Sequence, residues 1–147
     1  GASAGGLAPR PRARLLRWLC DRQCSPAGGL NGRPGKAADA CYTWWTLASL
    51  ELLRAGAAPA LEDTLDVGAL LAFVASCASP SGGVAAHPGD DPDPFHTFFG
   101  LAGLSLLEHG AAGGNGGARA SWLAEISPMV AMPTRLVPGL RPADAER

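Results

Sequence analysis

The stretch "LLRWLCDRQCSPAGGLNGRPGKAADACYTWWTLASLELL", residues 15–53, returns without gaps as "ALLAFVASCASPSGGVAAHPGDDPDPFHTFFGLAGLSLL", residues 69–107. Fourteen of the 39 aligned positions are identical, among them Gly28/Gly82, Gly29/Gly83, Pro34/Pro88, Asp39/Asp93 and Thr43/Thr97. Self-similarity at a fixed spacing of 54 residues marks a repeat architecture, in which each unit buries its apolar face on its neighbours. Each unit reads as helix, Gly-Gly turn, short loop, helix.

The helices follow from apolar spacing. Val67, Leu70, Leu71, Val74 and Cys77 fall on one stripe of an α-helix. Leu15, Trp18 and Leu19 begin the matching stripe in the first unit. Cys41, Trp44, Trp45, Ala48 and Leu52 mark one face of that unit's second helix, and Phe95, Phe98, Phe99, Ala102 and Leu106 mark a face of the other unit's. Both second helices are apolar on more than one side, so they are expected to form the inner layer. Asp39 and Asp93 stand where N-caps belong, and Gly56 and Gly110 where C-cap glycines belong. The fold class is all-α, built from stacked helical hairpins. Residues 111–118, "AAGGNGGA", read as a flexible loop, and 128–147 as an irregular tail. Two hairpins leave array faces uncovered, so residues 1–147 read as part of something larger, with exposed apolar surface.

The chain has 147 residues, 47% of them apolar and 17% charged, which suits one ordered domain rather than a disordered chain. Net charge is −1, which offers no footprint for nucleic acid. The charge is unevenly spread: residues 1–38 carry seven Arg/Lys against one acid, and the remainder five against twelve. A basic segment suits a phosphorylated ligand as well as it suits a solvated helix face at Arg10–Arg17. Cys20, Cys24, Cys41 and Cys77 show no disulfide framework and read as reduced thiols of a cytoplasmic protein. Residues 67–89 lack Asp, Glu, Lys and Arg, but Ser79-Pro80-Ser81-Gly82-Gly83 interrupts them, so they do not read as a membrane span.

The chemistry gathers at the second helix starts. Asp39 and Cys41 lie two residues apart, and the matching start in the second unit carries His96 in place of Tyr42. Adjacent hairpins bring equivalent helix starts side by side. One oxygen, one sulfur and one nitrogen then make a three-ligand zinc site with an open fourth position. The plainer alternative keeps Asp39 as a cap, Cys41 as a packed thiol and His96 as a satisfied core histidine. Cys20 and Cys24 make a looser metal pair. Arg33, Lys36 and Tyr42 flank the candidate site, and two cations with a phenol suit a departing diphosphate as well as a solvated loop. The aromatic residues Trp44, Trp45, Phe95, Phe98 and Phe99 read as core or as the wall of an apolar cavity. Asp90, Asp91 and Asp93 miss the DDxxD acidic box because position 94 is Pro94, which excludes a terpene-synthase reading.

"GGLNGRPGKAADACYTWW" together with "GDDPDPFHTFFGLAGLSLL" resembles the β subunits of protein prenyltransferases. "GGLNGRP", the paired tryptophans and "DPFHT" favour the type II, Rab geranylgeranyl, kind over the farnesyl and type I kinds. The resemblance runs from about residue 14 to residue 108, with weaker echoes in "MVAMPTRL". It implies an α-α toroid, here only a partial one, with zinc on Asp39, Cys41 and His96. It further implies diphosphate binding by Arg33, Lys36 and Tyr42, and a lipid cavity lined by Trp45 and Phe95. The implied reaction moves a geranylgeranyl group from geranylgeranyl diphosphate to C-terminal cysteines of Rab GTPases. The implied partners are a prenyltransferase α subunit and a Rab escort protein. Where farnesyl-type members place a magnesium-associated carboxylate, ten residues before the ligand histidine, this chain has Ala86, so magnesium is left open. The chain starts far inside the family's β subunit, and alone it is expected to be catalytically incompetent. Two other readings stay beside this one: a non-catalytic truncated module, and a farnesyl or type I geranylgeranyl transferase subunit.

Overall fold

A computed structural model describes residues 8–54, 64–109 and 123–137. Four α-helices, α1 (Pro9–Cys20), α2 (Cys41–Arg54), α3 (Val67–Ser76) and α4 (Pro94–His109), are followed by a 3₁₀ turn at Thr134–Leu136. Among the described residues the only extended pairing is three isolated bridges, at 23–30, 78–84 and 126–133. Gly56, Gly110 and the loop 111–118 lie outside the described residues, as do 138–147.

Helices α2 and α4 form the main packed pair, with α1 against α2 and α3 against α4. Leu30, Leu47, Leu50, Leu70 and Val74 are shut off from solvent at the centre of one core. Emptying such a site by a Leu→Ala change costs about 2–5 kcal/mol, because the cavity relaxes only in part. The inner pair can lie close because Gly103 of α4 meets Thr43 of α2. A methyl group at 103 would stand 2.6 Å from Thr43 Cγ2 and 3.0 Å from its backbone carbon. Neither atom can retreat without moving α2, since Thr43 is β-branched and helical.

The stripe expected on α3 is the buried one: Leu70, Val74 and Cys77 are in the core and Val67 and Leu71 pack against it. The stripe on α1 is rotated from the expected one. Leu19 is buried and Leu16 packs on the core, whereas Leu15 and Trp18 are exposed. The second helices form the inner pair, but they are not covered all round. Trp44, Ala48, Ala102 and Leu106 are buried, while Trp45, Leu52, Phe95 and Phe98 are exposed. Trp45 stays exposed although its ring meets Phe99 of α4 at 4.8 Å.

The gap-free sequence match conceals a slip of one residue. Past the Gly-Gly turn the units keep the 54-residue offset: Asp39 N–H donates to Leu30 O at 3.0 Å, and Asp93 N–H to Val84 O at 3.4 Å. Before the turn the pairings are Cys24 with Gly29 and Ser79 with Gly83, which leaves four residues in the first turn and three in the second. The position taken by Arg22 in the first unit is therefore taken by Cys77 in the second: each carbonyl accepts from the matching amide, Asn31 or Ala85, at 2.9 Å. Residues 123–137, expected to be irregular from Pro128, fold into a tight turn. It is pinned to α4 by the Ser105 hydroxyl, which donates to Ala124 O at 2.7 Å.

Candidate metal centre

The loops ahead of α2 and α4 bend in the same way. Lys36 N–H donates to Arg33 O and Asp90 N–H to His87 O. Proline fills the second place of each turn, and Gly35 and Gly89 fill the third with φ of +76° and +89°. That is the demand of a type II turn, met by the same Pro-Gly pair in both units. Asn31, buried under the first loop, donates to Lys36 O at 2.8 Å. The buried Arg22 guanidinium reaches Asn31 Oδ1 at 3.5 Å and lies 4.6 Å from the Trp18 ring centre. The loop bearing Arg33 and Lys36 is thus held from inside, while both cationic side chains are exposed.

The two helix starts are joined directly, Ala40 N–H donating to Ala86 O at 3.0 Å. That contact draws Asp39, Cys41 and His96 together, with one candidate ligand atom from each lying within 4.8 Å of the others. Among the described residues this is the group of three that can hold a metal ion, and Cys20 and Cys24 join no such group. Asp39 also plays the plainer part expected of it, accepting from Cys41 N–H at 2.9 Å. The same carboxylate faces His96 Nε2 at 3.4 Å. Asp93 caps α4 by accepting from His96 N–H at 2.9 Å, and its other oxygen takes His96 Nδ1 at 2.6 Å. The His96 amide and ring hold the Asp93 carboxyl below its usual range.

The donor set fits zinc. Thiolate, imidazole and carboxylate are the ligand types that zinc accepts together, and three of them leave a place for a substrate atom. His96 is prepared for it, because Asp93 engages Nδ1 and leaves Nε2 facing Asp39 and Cys41, the carboxylate–histidine arrangement usual behind a metal ligand. Cys41 is 6% exposed. Its thiol is pushed up to about 12 by burial, then by its hydrogen bond to Asp39 and by the negative charge there. The thiol therefore keeps its proton until a cation displaces it.

Tyr42 lies back over its own loop, its ring against Gly32, one residue before Arg33. Trp45 and Phe95 are 47% and 51% exposed, and they are linked by Phe99, whose ring centre is 4.8 Å from each. Phe98 adds a further edge contact at 5.1 Å, so four rings make one apolar face beside the ligand cluster. The acidic run disperses: Asp90 pairs with His87, Asp93 with His96, and Asp91 is exposed. Sequence reasoning missed Asp93 as the group that orients His96, although its Asp-x-x-His spacing at a helix start is visible. It also missed Asn31, whose role depends on a slipped turn that no periodicity reveals.

Residues 6–132 match the family described as the prenyltransferase alpha-alpha toroid domain. The chain is 47% identical over 109 residues to geranylgeranyl transferase type-2 subunit beta 1 of Arabidopsis thaliana, covering 74% of this chain and 32% of that one. It is 33% identical over 126 residues to the type-1 subunit beta of the same plant, covering 86% and 29%. The Candida albicans protein geranylgeranyltransferase-I complexed with GGPP superposes with a TM-score of 0.68 at 26% identity, over 85% of this chain and 36% of that one. The chain spans about a third or less of the length of the curated relatives it matches. Hairpin units 54 residues apart, helix starts that converge on Asp39, Cys41 and His96, and the family match over 6–132 agree: this chain belongs to the prenyltransferase α-α toroid family.

Proposed function

We propose that the protein containing this chain transfers a geranylgeranyl group from geranylgeranyl diphosphate to C-terminal cysteines of Rab GTPases, as the zinc-bearing β subunit of a heterodimer. The observation that carries the reading is the meeting of Asp39, Cys41 and His96 from two repeat units in one group of ligand atoms. Asp39, Cys41 and His96 would hold the metal, and Asp93 keeps His96 in the tautomer that serves it. Bound there, zinc lowers the pKa of a substrate thiol and so supplies a thiolate nucleophile at neutral pH. Arg33, Lys36 and Tyr42 take up the negative charge that gathers on the departing diphosphate. Trp45 and Phe95, joined through Phe99, offer an isoprenoid chain an apolar wall next to the reacting centre.

The type II reading draws support from 47% identity to a type-2 β subunit against 33% to a type-1 β subunit. It brings with it an α subunit and a Rab escort protein as partners. A reducing compartment such as the cytoplasm keeps Cys41 available as a ligand. No helix among the described residues is long and apolar enough to cross a membrane. Ala86 supplies no carboxylate beside the site, so the reaction is expected to run on zinc without magnesium held at that position.

The test has two arms. Purified chain is expected to carry one zinc by elemental analysis, and its absence from well-folded protein overturns the site. The whole protein with its α subunit is expected to prenylate Rab presented by escort protein and to leave CAAX peptides unmodified. CAAX modification would instead assign a farnesyl or type I enzyme, and zinc without any transfer a non-catalytic module.

A further inference from the structure

We infer that Gly32 is a positioning residue for Tyr42: the missing side chain at 32 is what lets the phenol lie over the loop that carries Arg33. The functional half of this inference rests on the proposed role of Tyr42 at the diphosphate.

A methyl group built on Gly32 would stand 2.2 Å from Tyr42 Cζ, 2.3 Å from its hydroxyl oxygen and 2.5 Å from Cε1. Carbon atoms in contact sit about 3.5–4.0 Å apart, so an alanine and this ring placement exclude one another. The ring is rigid, and its backbone is anchored by Tyr42 N–H to Asp39 O at 3.1 Å, beside the metal ligands. Relief must come from turning the ring away. Backbone geometry does not ask for glycine here. Gly35, three residues on, has φ of +76° with nothing within 4 Å of its Cβ position, whereas Gly32 lies outside the left-handed region and is crowded. One glycine serves the turn, and the other makes room.

The second unit shows the opposite choice at both matching positions. Ala86 stands for Gly32 and His96 for Tyr42. The imidazole packs edge-on to Phe95 at 5.1 Å between ring centres and engages Asp93 and Asp39. Glycine in the loop goes with a ring laid over its own unit, and alanine with a ring directed at the neighbour. The pair of residues, ten apart in each unit, sets which way the helix start addresses its chemistry.

Tyr42 is the single tyrosine of the chain, so 3-fluorotyrosine labelling gives one fluorine resonance that reports this ring alone. Gly32→Ala is expected to move that resonance by more than its linewidth, and an unmoved resonance in folded protein overturns the inference. If Gly32→Ala does not fold, adding Tyr42→Ala is expected to restore the fold by removing the clash; no restoration overturns the inference as well. In parallel, affinity for inorganic diphosphate is measured by calorimetry. Gly32→Ala is expected to weaken it about ten- to a hundredfold, the worth of a hydrogen bond to a charged group, with no further loss in a Tyr42→Phe background. Should Tyr42→Phe leave diphosphate affinity unchanged, or the parent chain show none, the role proposed for the phenol falls. The fluorine resonance still decides the placement.

Discussion

Asp39 and Asp93 occupy the same place in two units of like backbone and each accepts from an amide at its own helix start, yet only Asp39 also faces the neighbouring unit. Asp39 turns an oxygen to His96 Nε2 across the unit boundary, while Asp93 caps α4 and fixes Nδ1 of the same ring from behind. Thr43 and Thr97 diverge in the same manner. The Thr97 hydroxyl accepts from Val84 N–H at 2.9 Å and closes its loop onto its helix. Thr43 Oγ1 is buried with no partner among the described residues, and its methyl sits under Gly103. A repeat thus supplies one backbone twice, and a handful of substitutions gives each copy its own contacts.

The sharpest way to break this comparison is at the ligands. Cys41→Ala is expected to abolish stoichiometric zinc, while Phe95→Ala, at the matching position of the second unit, retains it. Elemental analysis of the two purified variants checks this, and equal zinc in both would mean that the units do not differ as described. A smaller effect is expected behind the ligand. Asp93→Asn keeps a helix cap but loses the anionic partner of His96 Nδ1, and outer-shell changes of this kind weaken metal binding about 10–100-fold. Competition with a chromophoric chelator measures it. Unchanged affinity would reduce Asp93 to a cap.

The two threonines sharpen the comparison in stability rather than binding. Thr97→Val deletes an acceptor and leaves the buried Val84 amide unsatisfied, a loss of about 1–3 kcal/mol. Thr43→Val replaces an unpartnered buried hydroxyl with a methyl of similar size and is expected to be neutral or slightly stabilising. Urea denaturation of the pair decides it: equal losses at both sites would refute the asymmetry.

Helix content and the hairpin units were legible because apolar spacing and repeated Gly, Pro and Asp positions survive in the chain itself. The convergence of Asp39, Cys41 and His96 was legible for the same reason, since a repeat that stacks must bring equivalent helix starts together. Burial of single faces was not legible. Trp44 and Trp45 are adjacent and chemically alike, and both rings meet Phe99 of α4, yet the first is covered and the second exposed. The one-residue slip ahead of the Gly-Gly turn was hidden too. Ser-Pro and Gly-Gly align without a gap in both units, although the chain takes four residues round one turn and three round the other.

That slip leads to the smallest expected effect. It sets Cys77, 2% exposed, where the first unit has the buried Arg22. Burial pushes the Cys77 thiol up, with the negative charges of Asp39 and Asp90 adding to it, while Ser76 pulls the other way. A thiol raised above its unfolded value of about 8.5 holds its proton longer in the folded state than in the unfolded one. Its contribution is therefore complete below that value and is lost as pH climbs through the folded pKa. Urea midpoints taken between pH 8 and 10 are expected to fall less steeply for Cys77→Ala than for the parent chain. Native-state alkylation is expected to mark the partly exposed Cys20 and Cys24 before Cys77. Parallel pH slopes, or early labelling of Cys77, would show that the slipped register does not seal this thiol.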